Sequence, residues 1–449
     1  MSAQAVRPGA GAWLARVLRG VLVPVILLVA ASVGLVAVNA SQHRAISPYD
    51  EYVYIDYLAK IPTEGMVRGG EETGEVARQA LACRGVLNFV VTTDPCRGTY
   101  FGTDAKYPYY GGTGADIYSP AYFGVTWALA QPLVWMGVDF VDAGRLVGAF
   151  WLALGSIGVW ALVRSLRVDG MYALGLGLLV TATPVAYWAT TYISTDAPSI
   201  AAGAWVAVAG LGVWRRRTAA FVLLPLAAVA ATLFKVQNLA AVGAVALALL
   251  IGVFVDRSDG RRMFRAAVRD PRLLLGVLTV LVALLSQVAW LAIRARSQLP
   301  GDRASIDTVQ QPLTIHSMVT ESLRFLTSIA GPGMPSSIIT TAVAGVLGLL
   351  SIAAVIGLIV DQRFRTGRGL VAAISVLVVA LALGPALALF TRVTMGYYTP
   401  LSERYGIVLL PLFLALVGLY VDHLRKVVPV VAVTGGILAA AGAIAAGTI

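Results

Sequence analysis

Charge is scarce in this chain. Asp, Glu, Lys and Arg make up 13% of its 449 residues, about half the share carried by an ordinary soluble domain. With 58% of residues hydrophobic, a string of soluble domains is excluded and one helical body in lipid is implied. Histidine is scarcer still: His43, His316 and His423 have no metal-ligand spacing between them, so no zinc motif is present. The sequence also lacks a P-loop, a dinucleotide fingerprint and a nucleophile elbow, which argues against nucleotide-driven or serine-hydrolase chemistry. Cysteine is limited to Cys83 and Cys96, both in one polar segment. If that segment is outside the membrane the two can form a disulfide worth roughly 3 kcal/mol; otherwise they are unrelated thiols.

What the chain does have is a series of apolar runs near 19–40, 120–137, 145–163, 172–191, 197–214, 219–234, 237–255, 273–293, 339–360, 369–391, 405–421 and 427–447. The formal net charge of +11 is gathered in short clusters between these runs. It therefore reads as the positive-inside pattern and not as a nucleic-acid footprint. Arg7, Arg16 and Arg19 precede "GVLVPVILLVAASVGLVAVNA", an uncleaved first span starting in the cytoplasm, with a signal peptide as the alternative. The groups Arg164/Arg167, Arg215 to Arg217, Arg257 to Arg272, Arg363/Arg365/Arg368 and Arg425/Lys426 mark the same side.

Parity then requires that the run at 120–137, which contains Pro120 and Pro132, crosses only partly or re-enters. The expectation is an all-α polytopic bundle with about eleven full crossings plus this partial one, forming a single integral membrane domain over residues 1–449. The first outer loop would cover 41–118 and carry two short amphipathic helices, "DEYVYIDYLAKI" and "EVARQALACRGVLNFVV", lying on the membrane. A second large outer loop would cover 294–338. Residues 191–198, the turn around Lys235 and residues 392–404 fall on the same side.

Every unusual polar residue belongs to that side, and polar groups beside hydrocarbon mark sites. Asp50 and Glu51 adjoin each other among Tyr49, Tyr52, Tyr54 and Tyr57. Helical neighbours point about 100° apart, so one carboxylate can face a cavity while the other braces it. A partly desolvated carboxylate can take a proton from a hydroxyl, and either acid fits that role. Asp196, in "STDAP", is a helix cap, or a ligand for a divalent cation or sugar hydroxyls. Lys235 either snorkels to the interface or meets a lipid phosphate. Arg392 and Arg404 run against the charge rule, and anion binding is the simplest reason for an arginine there.

The acidic pair after the first span, "SPAYFGVTWAL", "AGRLVGAFWLALG" with Arg145, "STDAP", "LFKVQ" and the late "RYGIVLLP" together resemble the GT-C superfamily of integral membrane glycosyltransferases. The motifs are short, they run in order over most of the chain, and "SPAY" lacks the His and one Pro of the family's pattern. The resemblance implies a GT-C-like bundle and an enzyme that takes sugar from a polyprenyl-phosphate donor on the extracytoplasmic face of a bacterial plasma membrane. The acceptor would be a cell-envelope glycan or glycolipid. Asp50 resembles the catalytic base, with Glu51 as neighbour or alternative base; Asp196 resembles the second acidic position, an acceptor or metal ligand in some members. Lys235 and Arg404 resemble the residues that hold the lipid phosphate. No cofactor is assumed, a divalent cation being the one the family allows. The rival class is a transporter or flippase of lipid-linked sugars, which would place charges at the midplane and repeat its halves.

Overall fold

Residues 18–90, 95–96, 107–255, 268–300, 311–329, 337–361, 363, 367–422 and 428–445 are described from a computed structural model of the chain. Arg7, Arg16, the part of the 257–272 set before residue 268, Arg365, His423, Arg425 and Lys426 lie outside the described residues.

A first apolar helix, α1 (Val23–Gln42), opens with Pro24 in its first turn, where the missing N–H is harmless. The polar segment after it folds into α2 (Glu51–Glu64) and α3 (Glu75–Arg84). Contrary to expectation, α2 is no surface helix. Every residue from Glu51 to Leu58 is buried, because its tyrosines pack with Val67, Leu81, Tyr107, Tyr122, Phe123 and Trp151 in a core of their own. Tyr57 stacks on Phe123 with ring centroids 3.9 Å apart. This aromatic cap is held at its edge by the Cys83–Cys96 disulfide, which forms as one of the two readings required.

Next come α4 (Pro120–Trp135), α5 (Phe140–Leu146) and α6 (Gly148–Ser165). Ser119 donates to Leu233 O at 2.5 Å, and Asp142 binds Arg84 of α3 at 2.6 Å. At 16 residues and about 1.5 Å per residue α4 is shorter than a ~30 Å hydrocarbon core.

The apolar run at 172–191 is broken into α7 (Gly170–Thr181) and α8 (Pro184–Thr190), bent by 60°. Pro184 cannot continue the ladder, and the hydroxyls of Thr181 and Thr183 bond Leu178 O and Val180 O at 2.7 and 2.8 Å, occupying carbonyls at the break. The rest of the bundle is α9 (Ser199–Trp214), α10 (Ala220–Phe234), α11 (Leu239–Val255), α12 (Pro271–Ser297), α13 (Ile315–Arg324), α14 (Ile338–Val360), α15 (Arg368–Met395), α16 (Leu410–Val421) and α17 (Val428–Ala445). Among the described residues there is no β-strand, only isolated bridges.

Among the described residues seven helices reach spanning length and composition, or eight if the bent pair is one span. The expected eleven crossings are reached only if α9, α10 and α17, three shorter apolar helices, also cross. At the centre, α9 packs against α6, α10, α11 and α16. Small residues set these approaches, since helices in lipid gain from close packing and not from leaving water. A Cβ at Gly203 would lie 2.0 Å from Val408 O, and one at Gly148 would lie 1.7 Å from Thr190 O.

Polar contacts gather at the two ends of the bundle. At one end Arg215 bonds Ser165 O, Arg272 bonds Asp270 at 3.1 Å and Asp169 N bonds Asp422. At the other the pieces expected outside are tied together. Arg294 binds Asp116 at 2.7 Å, Leu299 N bonds Gly69 O at 2.9 Å and Gln311 N bonds Tyr398 O at 2.9 Å.

Candidate active site

Four charged side chains from distant parts of the sequence meet where the cap sits on the bundle. Asp50 precedes α2 with φ of 64°, a left-handed conformation that Asp tolerates better than most residues. Its carboxylate makes no helix-capping bond. Instead Oδ2 accepts from Arg404 Nη2 at 2.7 Å and Oδ1 from the Tyr109 hydroxyl at 2.9 Å. Arg404 Nη1 lies 3.6 Å from Asp196 Oδ2, and Lys235 Nζ lies 2.5 Å from Asp196 Oδ1. The result is an unbroken line of alternating charge, Asp50, Arg404, Asp196 and Lys235, whose formal charges cancel.

Local structure explains how each arrives. Lys235 follows the last residue of α10 in extended backbone (φ −162°, ψ 132°), and a short 3-10 turn, Val236–Asn238, leads into α11. Arg404 lies in a second 3-10 segment, Glu403–Leu409, brought against α9 by the missing side chain of Gly203. Asp196 precedes α9, yet both its oxygens face cations, so its carboxylate is not a cap. Lys235 does not snorkel: its side chain is 1% exposed, against 30% for Asp50. Tyr405 lies under the ammonium, 5.0 Å from its ring centroid, and Tyr49 lies 5.3 Å from the Arg404 guanidinium. Burying these charges is costly unless each is paired, and the line pairs all four.

Burial pushes the Asp50 carboxyl up, but the Arg404 guanidinium, the Tyr109 hydroxyl and Lys235 outweigh it and hold the carboxyl below the ordinary carboxylate range. Burial, then the charge of Asp50, pushes the Tyr109 phenol well up, so it stays a donor. A cavity of ≈740 Å³ opens in front, lined by Asp50, Tyr109, Tyr118, Lys235, Trp290 and Tyr405 among others.

Glu51 takes a different place. It is fully buried, receives Arg145 Nε and Nη2 at 2.8 Å each, and also accepts from Ser47 N at 2.7 Å and Ile193 N at 3.0 Å. Arg145 in turn donates to His43 O and Ala45 O at 2.7 and 2.8 Å. Arg392, the other arginine expected to bind an anion, bonds Gly396 O and is exposed at its own helix end. Among the described residues no group of three or more His, Cys, Asp or Glu side chains converges. The pair Asp50 and Asp196 does not fit a divalent cation, since a guanidinium lies between the two carboxylates and an ammonium occupies Asp196.

Sequence reasoning missed Tyr109. The signal was the "YPYYGG" run, whose Tyr109 and Tyr110 both have positive φ, 57° and 55°.

No family model matches the sequence, and no curated protein matches it. Solved structures do match in fold. ArnT from Cupriavidus metallidurans in the apo state is 18% identical, with a TM-score of 0.50 over 90% of this chain and 60% of that one. The Archaeoglobus fulgidus oligosaccharyltransferase gives 0.47 at 13% identity in its complex with Zn and sulfate, covering 94% of this chain and 51% of that one. Its apo form gives 0.48 at 14%, covering 95% and 55%. The chain thus spans about 60% of the length of ArnT. With its long apolar helices and this likeness, the chain is a multi-pass membrane protein that shares its fold with ArnT.

Proposed function

We propose that the protein is an inverting glycosyltransferase that moves a sugar from a polyprenyl-phosphate donor to a hydroxyl of a cell-envelope glycan or glycolipid, on the outer face of a bacterial plasma membrane. The observation that carries this reading is the line of charges with Asp50 and Lys235 at the wall of one large cavity. Asp50 is the base. It takes the proton of the acceptor hydroxyl as that oxygen attacks the anomeric carbon, and the bond to the phosphate oxygen breaks on the opposite face, so configuration inverts. The leaving polyprenyl phosphate keeps the bond's electron pair, and the positive charge of Lys235, with Arg404 behind it, stabilises that developing anion. Leu233, Leu291, Leu387 and Phe390 line the same cavity and suit an isoprenoid chain, whose burial anchors the donor.

Glu51 serves here as a brace and not as the base, because bonds from Arg145, Ser47 and Ile193 occupy its carboxylate.

The test is incubation of the purified protein with a panel of radiolabelled polyprenyl-phosphate sugars and an envelope-glycan acceptor, with Asp50→Asn beside the wild type. Transfer that is lost in a folded Asp50→Asn supports the reading. Movement of lipid-linked sugar across a bilayer without transfer would establish the flippase alternative instead.

A further inference from the structure

The line of charges has its two ends in the cavity and its middle outside it. Asp50 and Lys235 line the ≈740 Å³ space. Asp196 and Arg404 line instead a second, water-sized space of ≈10 Å³, together with Tyr49, Trp188 and Tyr192. Lys235 is thus the cation of the line that borders the cavity, and Arg404 is not among its lining residues. Lys235 is already bonded to Asp196, so engaging a phosphate means sharing or leaving that bond. Asp196 has a second cation within reach. Its Oδ2 lies 3.6 Å from Arg404 Nη1, about 0.8 Å beyond the ~2.8 Å of a charge-assisted bond. Arg404 Nε has no hydrogen-bond partner, so the guanidinium's hold is divided between the two carboxylates.

We propose that Lys235, Asp196, Arg404 and Asp50 form a relay in which a phosphate taken by Lys235 frees Asp196 to close on Arg404, which loosens Arg404 from Asp50 and releases that carboxylate for proton abstraction. The relay rests on reading the cavity as a donor site. It makes the base competent only when the donor is in place, so the acceptor is activated second and water in the cavity is not activated in the donor's absence.

The charged and titratable groups facing Asp50 are Arg404, Tyr109, Lys235, Tyr54, Tyr118 and Tyr405. Of the opposing influences burial raises its carboxyl and Arg404 is the leading one that lowers it. Weakening the Arg404 bond therefore raises the proton affinity of Asp50. By linkage, a neutral residue at position 50 must tighten phosphate binding by the same factor that donor binding raises this proton affinity.

The probe is a short polyprenyl methyl phosphodiester, which carries one fixed negative charge. Its binding to the full-length protein is measured by titration calorimetry between about pH 4 and 6, from the ordinary carboxylate range upward, in buffers of different ionisation enthalpy. The expected result is proton uptake on binding to the wild type, none with Asp50→Asn, and tighter binding by Asp50→Asn. In Asp196→Asn the direct repulsion between phosphate and Asp50 persists but the relay is cut, so uptake falls to less than half. Binding without uptake, undiminished uptake in Asp196→Asn, or unchanged affinity in Asp50→Asn overturns the relay while leaving the donor site intact. If the diester does not bind at all, the donor reading falls and the relay with it. Wild-type binding without proton uptake overturns the relay even if a variant fails to fold.

Discussion

The Glu51–Arg145 pair offers a sharp test of what holds the site in register. Both side chains are 0% exposed, and two parallel bonds of 2.8 Å join them. Glu51→Gln leaves the guanidinium of Arg145 buried with one opposite charge fewer, and Arg145→Met leaves the carboxylate without its partner. Breaking a buried pair from one side costs about 3–5 kcal/mol. Replacing both removes the unpaired charge, so the double variant should be more stable than either single one, with a coupling of about 2 kcal/mol or more. Denaturant titration of the four purified proteins in the same detergent measures this. A consequence for activity follows from the neighbours. Asp50 adjoins Glu51, and Ile193, whose N–H bonds Glu51, lies three residues before Asp196. The double variant should therefore lower kcat, because the segments that carry Asp50 and Asp196 both lose a support. If each single variant costs under about 1 kcal/mol, or the costs simply add, the pair is not the brace described.

Three further outcomes are expected. Because the Asp50 carboxyl is held below its ordinary range, its pairing contributes stability at pH values above the unfolded carboxylate value, and this is lost as pH falls through the lower folded value; Asp50→Asn should flatten that acid limb in thermal melts, and an unchanged limb refutes the assignment. Gly203→Ala puts a methyl 2.0 Å from Val408 O and should push the Glu403–Leu409 turn and Arg404 away from Asp196, lowering transfer at least tenfold with the helical spectrum retained; near-wild-type transfer would mean the close approach is dispensable. Replacing Cys83 and Cys96 by Ser should cost the cap roughly 3 kcal/mol, read as faster proteolysis in residues 41–118 with the bundle intact; equal cleavage rates would deny the disulfide that role.

Asp50, Asp196, Lys235 and Arg404 were legible because each is an ion beside apolar sequence and all fall between runs of the same parity. The charge pattern put them on one side together with Glu51 and Arg392, and the family resemblance singled these four out with Glu51. The break between α7 and α8 was also written locally, in Thr183 and Pro184, though the apolar run reads straight through it. The role of Glu51 was not legible. Asp50 and Glu51 are alike in sequence, and what separates them is an arginine 94 residues away and a left-handed φ at Asp50. Both are products of tertiary packing. The same holds for α2, whose tyrosines suited a helix on the membrane surface until Phe123 and Trp151 supplied a core for them to enter.

On the proposed topology the aromatic cap and the apolar bundle face different solvents. The cap hides its rings from water and so carries a large positive heat capacity of unfolding. Bundle helices exchange protein neighbours for acyl chains of similar polarity and carry much less of it. Cooling or mild urea therefore loosens the lid before its foundation. The seam between them, where Asp50 on one part meets Arg404 on the other, should then be the first joint to open.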